Sequence, residues 1–112
     1  MAIRVKEGVE FAVIAPGGFV ILAALVAVSR MVGYDITITS GTDGTHSGVD
    51  DPHHHGRAYD IRCHDVPDKE HLAVSIINWL AADYPNKFYT FIEDEGGSNE
   101  HIHCQVRKGM EI

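Results

Sequence analysis

Along His53-His54-His55-Gly56-Arg57-Ala58-Tyr59-Asp60-Ile61-Arg62, a histidine-rich loop runs into a strand over residues 58–62. Side chains of a strand alternate between its faces, so Ala58, Asp60 and Arg62 share one face while Tyr59 and Ile61 share the other. The later stretch His101-Ile102-His103-Cys104-Gln105-Val106 alternates in the same way, with His101, His103 and Gln105 on one side. If the two polar faces line one cleft, Ile61, Cys63, Ile102 and Cys104 turn together into a core beneath a helix. The two cysteines are then structural thiols and not ligands.

Working outward, Pro16-Gly17-Gly18 marks a helix start and Gly33 a C-cap, which predicts a helix over 17–32. Its apolar residues cover nearly every side, which implies burial on more than one face or a contact with a second copy. Tyr34 to Thr39 sets Ile36 and Ile38 against threonines, the pattern of a half-buried strand. Ser40 to His55 is a loop of Gly, Asp, Ser and His, long enough to imply function. Pro67-Asp68 opens a second helix with Leu72, Ile76, Trp79 and Leu80 along one face, ending at 83–85. Lys87 to Ile92 and His101 to Val106 are two more strands, joined by a turn from Glu93 to Asn99 around Gly96-Gly97. This order predicts an α+β domain, a small and mainly antiparallel sheet backed by two main helices. Residues 1–112 are expected to form one such domain.

Charge and hydropathy exclude several partners. A net charge of -7 with nine scattered basic residues argues against nucleic acid, whose binding needs clustered cations. The uncharged run Phe19 to Val28 is half of the roughly 20 residues a bilayer span requires, so no membrane span is expected. Glu7 and Glu10 stand where a signal peptide would be apolar, so no secretory signal is expected. Two cysteines are too few for a disulfide framework.

Eight histidines are many for 112 residues, and six of them cluster: His46 and His53 to His55 in the loop, then His101 and His103. A catalytic zinc needs three imidazole or carboxylate ligands and an open fourth position. His53, Asp60 and His103 come from a loop end and two strands, and ligands on separate elements fix a metal firmly.

The string from His53 to Ile61 resembles the His-x-x-Gly-Arg-Ala-x-Asp signature of zinc D-Ala-D-Ala carboxypeptidases. The relatives of that superfamily include L-alanyl-D-glutamate endopeptidases and the hedgehog signalling domain. Glu100-His101-Ile102-His103-Cys104-Gln105-Val106 is similar to the closing strand of that superfamily, and His-Ile-His-Cys to hedgehog in particular. The two resemblances cover about half of the chain, 36–65 and 91–106. They imply a hedgehog/DD-peptidase-like fold with His53, Asp60 and His103 as ligands of one zinc ion. Glu100 would be the general base toward a zinc-activated water, with Glu95 its competitor, because the hedgehog glutamate lies further upstream. His101 would stabilise the oxyanion or orient substrate, and His46 would contact substrate. His54 and His55 would rim the cleft, His64 and His71 would be solvated, and Arg57 would be a structural ion-pair partner.

The activity this implies is hydrolysis of peptidoglycan stem peptides at D-Ala-D-Ala or L-Ala-D-Glu type bonds. Two departures support an alternative, a hedgehog-like zinc-binding module with little or no peptidase activity that binds a protein or glycan. Ser40-Gly41-Thr42-Asp43 lacks the substrate-binding arginine of many bacterial members. Asp43, Asp50 and Asp51 are also candidate ligands of a second, calcium-like cation. The location expected is either the cytoplasm with phage-type release, or a periplasmic or extracellular setting for an excised domain.

Overall fold

A computed structural model describes residues 1–111. Its elements are β1 (Ile3–Val5), α1 (Pro16–Val32), β2 (Ile36–Ser40), β3 (Ala58–Arg62), α2 (Lys69–Asp83), β4 (Phe88–Glu93) and β5 (His101–Val106). The architecture is α+β, with a five-stranded sheet in the order β1-β2-β3-β5-β4 and two helices. Only the β1–β2 pair is parallel. The strand β1 has no counterpart in the sequence reading, because three residues are too few to establish a period.

Both helices start and stop for identifiable reasons. Pro16 opens α1, where its missing N–H has no partner to lose, and Gly33 closes it at φ 85° with its N–H donating to Ser29 O. Asp68 caps α2 by accepting a hydrogen bond from His71 N at 3.0 Å. Ile21, Ala24, Leu25 and Val28 form one fully buried stripe on α1, at the i, i+3, i+4, i+7 spacing of a single helix face. Phe19, Val26 and Met31 stay exposed, so the helix is buried on one face and not on several. No described helix is long and apolar enough to cross a membrane.

The register of the central strands positions the chemistry. Asp60 on β3 lies opposite His103 on β5, and His103 lies opposite Phe91 on β4. One step along, Ile61 faces Ile102, and both are wholly buried with Tyr59, Cys63 and Cys104 in the core shared with α1 and α2. The alternation expected of 58–62 and 101–106 therefore separates a packed face from a polar one. A slip of one residue would carry Ile61 and Ile102 into the cleft and His103 into the core, so the apolar face fixes the polar one.

The loop before β3 is more ordered than its composition suggests. A single 3-10 turn, Pro52–His55, is capped by Asp51 and closed by Gly56 at φ 68°. A side chain on Gly56 would collide with Val13 backbone, so glycine is required there for space as well as for its left-handed conformation. Thr42 and Asp43 clasp the segment at Glu10 to Ala12 through backbone and side-chain hydrogen bonds. Here Asp43 tethers the loop; it is not free to bind a cation.

Candidate metal centre

Five elements deliver the cluster: the loop at His46, the 3-10 turn at His53, β3 at Asp60, β4 at Glu93, and β5 at His101 and His103. They line an open cleft of about 330 Å³. Asp60 is the hub. Its Oδ1 lies 3.0 Å from His53 Nε2 and 3.0 Å from His103 Nδ1, and its Oδ2 lies 3.5 Å from His101 Nε2.

The far nitrogens of both central imidazoles are fixed by acceptors. His53 Nδ1 donates to Asp51 Oδ1 at 2.8 Å, and the backbone N–H of His53 donates to the same oxygen at 2.9 Å. His103 Nε2 donates to Gln105 Oε1 at 2.7 Å. These contacts aim His53 Nε2 and His103 Nδ1 at Asp60, with ring orientation set from behind as in many metal sites. Asp60 lies between a His53 side and a His103 side, and a histidine–carboxylate group built on it can hold a metal ion and is compatible with zinc; His53 and His103 themselves fall in two different groups of close donors that share Asp60.

The donor atoms of Asp60, Glu93, His101 and His103 lie within 4.8 Å of one another, as do those of His46, His53 and Asp60. His46 thus stands closer to the centre than a substrate contact at the rim. Its ring stacks on His53 with centroids 3.8 Å apart and an interplanar angle of 1°. Its backbone has φ 44°, a left-handed conformation that costs a non-glycine residue about 1 kcal/mol or more, and its Nε2 is 3.1 Å from Ser40 Oγ.

Electrostatics follow from this convergence. Burial opposes protonation of His53, but the hydrogen bond and charge of Asp60 outweigh it and raise its pKa. His103 is raised for the same reasons, with Gln105 adding to the effect. Burial also works against ionised Asp60, yet hydrogen bonds from His103 and His53 hold its carboxyl well below the usual range. Asp51 is lowered similarly against burial, by Ser47 and His53.

The expected residues do not all meet here. His53, Asp60, His103, His101 and His46 do. Glu100, expected as general base, lies outside the cleft, in the turn before β5, with its carboxylate directed at Lys69, Gly96 and Cys63. Its Oε2 accepts from Lys69 Nζ at 2.7 Å and from Gly96 N at 2.8 Å, and the Lys69 contact holds its carboxyl low. Glu95 is likewise drawn to Lys69, at 3.5 Å. The carboxylate that does face the cluster is Glu93, whose Oε1 is 2.9 Å from His101 Nε2 and 3.8 Å from His103 Nδ1. Ending the strand at Ile92 concealed it, although Tyr89, Phe91 and Glu93 share the odd-numbered face. Gln105 was read only as sharing the polar face, and Asp51 as a candidate ligand of a second cation and not as the partner of His53.

The calcium candidates do not assemble. Asp43 accepts hydrogen bonds from Gly41 and Glu10, and Asp51 is occupied by Ser47 and His53. Neither they nor Asp50 join a group of donors able to hold an ion among the described residues. His54 and His55 turn to the carbonyls of Thr45 and Val49, His64 and His71 are exposed, and Arg57 Nε sits 3.9 Å from Glu111.

The fold and site thus define an α+β domain with a histidine–carboxylate centre on one sheet face. No family model matches the sequence, and comparison with curated proteins and with solved structures returns no match.

Proposed function

We propose that the chain is a zinc metallopeptidase that hydrolyses peptidoglycan stem peptides at D-Ala-D-Ala or L-Ala-D-Glu type bonds. The observation that carries this reading is the meeting of His53 Nε2, His103 Nδ1 and Asp60 Oδ1 at the floor of an open cleft, with Glu93 at its side. Zinc bound to such donors supplies Lewis-acid polarisation of a carbonyl and acidifies water.

The chain's own groups supply the rest. His101 Nδ1 donates to Asn99 O at 2.6 Å, which directs its Nε2 at Glu93 Oε1, 2.9 Å away. Glu93 is then the group that takes a proton from the attacking water and delivers it to the leaving amine. His101, whose Nε2 faces both Glu93 Oε1 and Asp60 Oδ2, is placed to orient Glu93 and to lie beside developing negative charge. His46 and Gln105 line the ends of the row and keep His53 and His103 oriented.

The second reading, a hedgehog-like zinc-binding module that binds a protein or glycan, draws on one observation: the glutamate at the peptidase spacing, Glu100, is committed to Lys69 and not to the cleft. The two are separated by incubating zinc-loaded protein with purified muropeptides and following products by mass spectrometry, beside Glu93→Gln and Glu100→Gln. Cleavage abolished by Glu93→Gln but kept by Glu100→Gln is the result expected of the peptidase. Stoichiometric zinc with no cleavage favours the module. Protein that takes up no zinc refutes both.

A further inference from the structure

Six donor side chains gather around the Asp60 carboxylate and its neighbours, twice the three that one catalytic zinc ion takes from a protein. They do not form one shell. Asp60, Glu93, His101 and His103 make one group of close donors, His46, His53 and Asp60 make a second, and only Asp60 belongs to both. His53 Nε2 and His103 Nδ1 each lie 3.0 Å from Asp60 Oδ1, yet neither group contains the two together, so more than 4.8 Å separates them. Zinc–nitrogen bonds of about 2.1 Å let one ion span at most about 4.2 Å between two imidazoles. One ion shared by His53 and His103 would need the rings to draw together, whereas an ion on each side of Asp60 would not.

His46 gives an independent reason to place a ligand on the loop side. Its backbone at φ 44° is strained for a residue with a side chain, and such strain persists where the surrounding structure holds a side chain in one position. Here that position lays the imidazole flat on His53, with centroids 3.8 Å apart, and brings a ring nitrogen within 4.8 Å of an Asp60 oxygen. Stacking on His53 would hold the ring but does not require its nitrogen to approach the carboxylate. Charge points the same way. Asp51, Asp60 and Glu93 line the cleft and, among the described residues, no Lys or Arg does, so a single divalent ion leaves the lining negative.

We propose that the centre is dinuclear. One divalent first-row metal ion such as zinc sits among Asp60, His101 and His103, a second sits among Asp60, His46 and His53, and the Asp60 carboxylate bridges them. This deepens the peptidase reading and rests on it for the reaction that the pair serves. Three ligands on the β5 side leave Glu93 free for the proton which that reading gives it. Paired ions in hydrolytic sites lie roughly 3.5–4 Å apart and clamp the attacking and leaving oxygens together.

The test is metal counting on folded protein that has been stripped of metal, loaded with excess zinc or cobalt(II) and desalted, for wild type, His46→Asn and His54→Gln. Asparagine tolerates the left-handed backbone at position 46 while removing the imidazole. Wild type should retain two ions per chain and His46→Asn one. His54→Gln, which removes an imidazole outside both groups, should retain two. In electron paramagnetic resonance of the cobalt protein, the signal per ion should fall as the second equivalent binds, because a shared carboxylate couples the two ions, and His46→Asn should abolish that fall. One ion per chain in wild type, two in His46→Asn, a count that drops equally in His54→Gln, or a cobalt signal that grows in proportion to the metal bound overturns the dinuclear site. The wild-type count and cobalt signal decide this even where a variant fails to fold. One ion with muropeptide cleavage removes the bridge and leaves the peptidase reading standing. Two coupled ions without cleavage uphold the bridge and remove the peptidase reading, and no bound ion refutes both.

Discussion

Asp51 makes no contact with Asp60 or His103, yet its removal should weaken metal binding more than any other change outside the ligands themselves. Its Oδ1 accepts both the Nδ1–H and the backbone N–H of His53, at 2.8 and 2.9 Å, while Oδ2 is held by Ser47. With Asp51→Ala, the His53 ring loses its tautomer lock and the 3-10 turn loses its cap. Loss of an outer acceptor of this kind costs about 10- to 100-fold in metal affinity, or roughly 1.4–2.7 kcal/mol. The lost cap should cost about 1 kcal/mol of stability besides. Asp51→Asn keeps an acceptor oxygen but not its charge. Charge-assisted bonds are about twice as strong as neutral ones, so about half the loss is expected, roughly 3- to 10-fold. Gln105→Ala, which removes a neutral acceptor from His103, should match Asp51→Asn. Zinc titrations in competition with a chromophoric chelator measure the order, and circular dichroism checks the fold. An Asp51→Ala dissociation constant within about twofold of wild type would refute the claim that the acceptors behind the rings orient them.

Glu100→Gln should lower the melting temperature through the weakened tie between Lys69 and the 94–100 turn, while leaving zinc stoichiometry unchanged; loss of bound zinc would contradict its position outside the cleft. Burial pushes the Cys63 thiol up to about 11, with the charge of Glu100 adding to the effect, and pushes the Cys104 thiol up to about 12. Both should resist iodoacetamide at pH 8 until the protein is denatured. Because their folded pKa values exceed the unfolded ones, the contribution they make is full below about pH 8.5 and is lost as pH rises through the folded values, so alkaline unfolding should steepen there. In metal-free protein, His53 and His103 are raised, so their contribution is full below about pH 6.5 and fades as pH rises through the folded values. Asp60 is lowered, so its contribution fades as pH falls below about 4. Metal takes the neutral imidazoles, so the gain in melting temperature on adding zinc should grow from pH 6 to 8, and a gain that shrinks over that range contradicts the ligand assignment.

Much of the fold was legible because two strands carry strict alternation. Ile61 and Ile102 had to be buried together, and that alone fixed where Asp60, His101 and His103 point. Element ends were legible where chemistry marks them, as at Pro16, Gly33 and Asp68. What stayed hidden depends on long-range contacts or on an element's last residue. Strand β1 exists because it pairs in parallel with Ile36 to Ile38, and nothing in Ile3-Arg4-Val5 itself announces this. Glu93 was hidden by one residue at a strand end, and the spacing of Glu100 from His103 did not reveal that its carboxylate turns to Lys69. Spacing in a turn does not determine a face, whereas pairing across strands does, and Glu93 opposite His101 is such a pair. The role of Asp51 required knowing that the turn at Pro52–His55 folds His53 back over it.

The hydrogen-bonded arrangement of the centre also explains how it can be built before any ion arrives. Two imidazoles aimed at one carboxylate oxygen from 3.0 Å satisfy all three groups only if each ring carries a proton on the nitrogen facing Asp60. Both histidines are accordingly raised and Asp60 lowered. Two such protons carry the same charge as one divalent cation. Exchanging them for a metal ion leaves the net charge of the buried cluster unchanged, so Asp51 and Gln105 can stay bonded to the far ring nitrogens throughout. The folded chain therefore holds these donors in place by hydrogen bonding, and a divalent ion entering here would exchange for protons within a fixed frame, with no refolding of the loop.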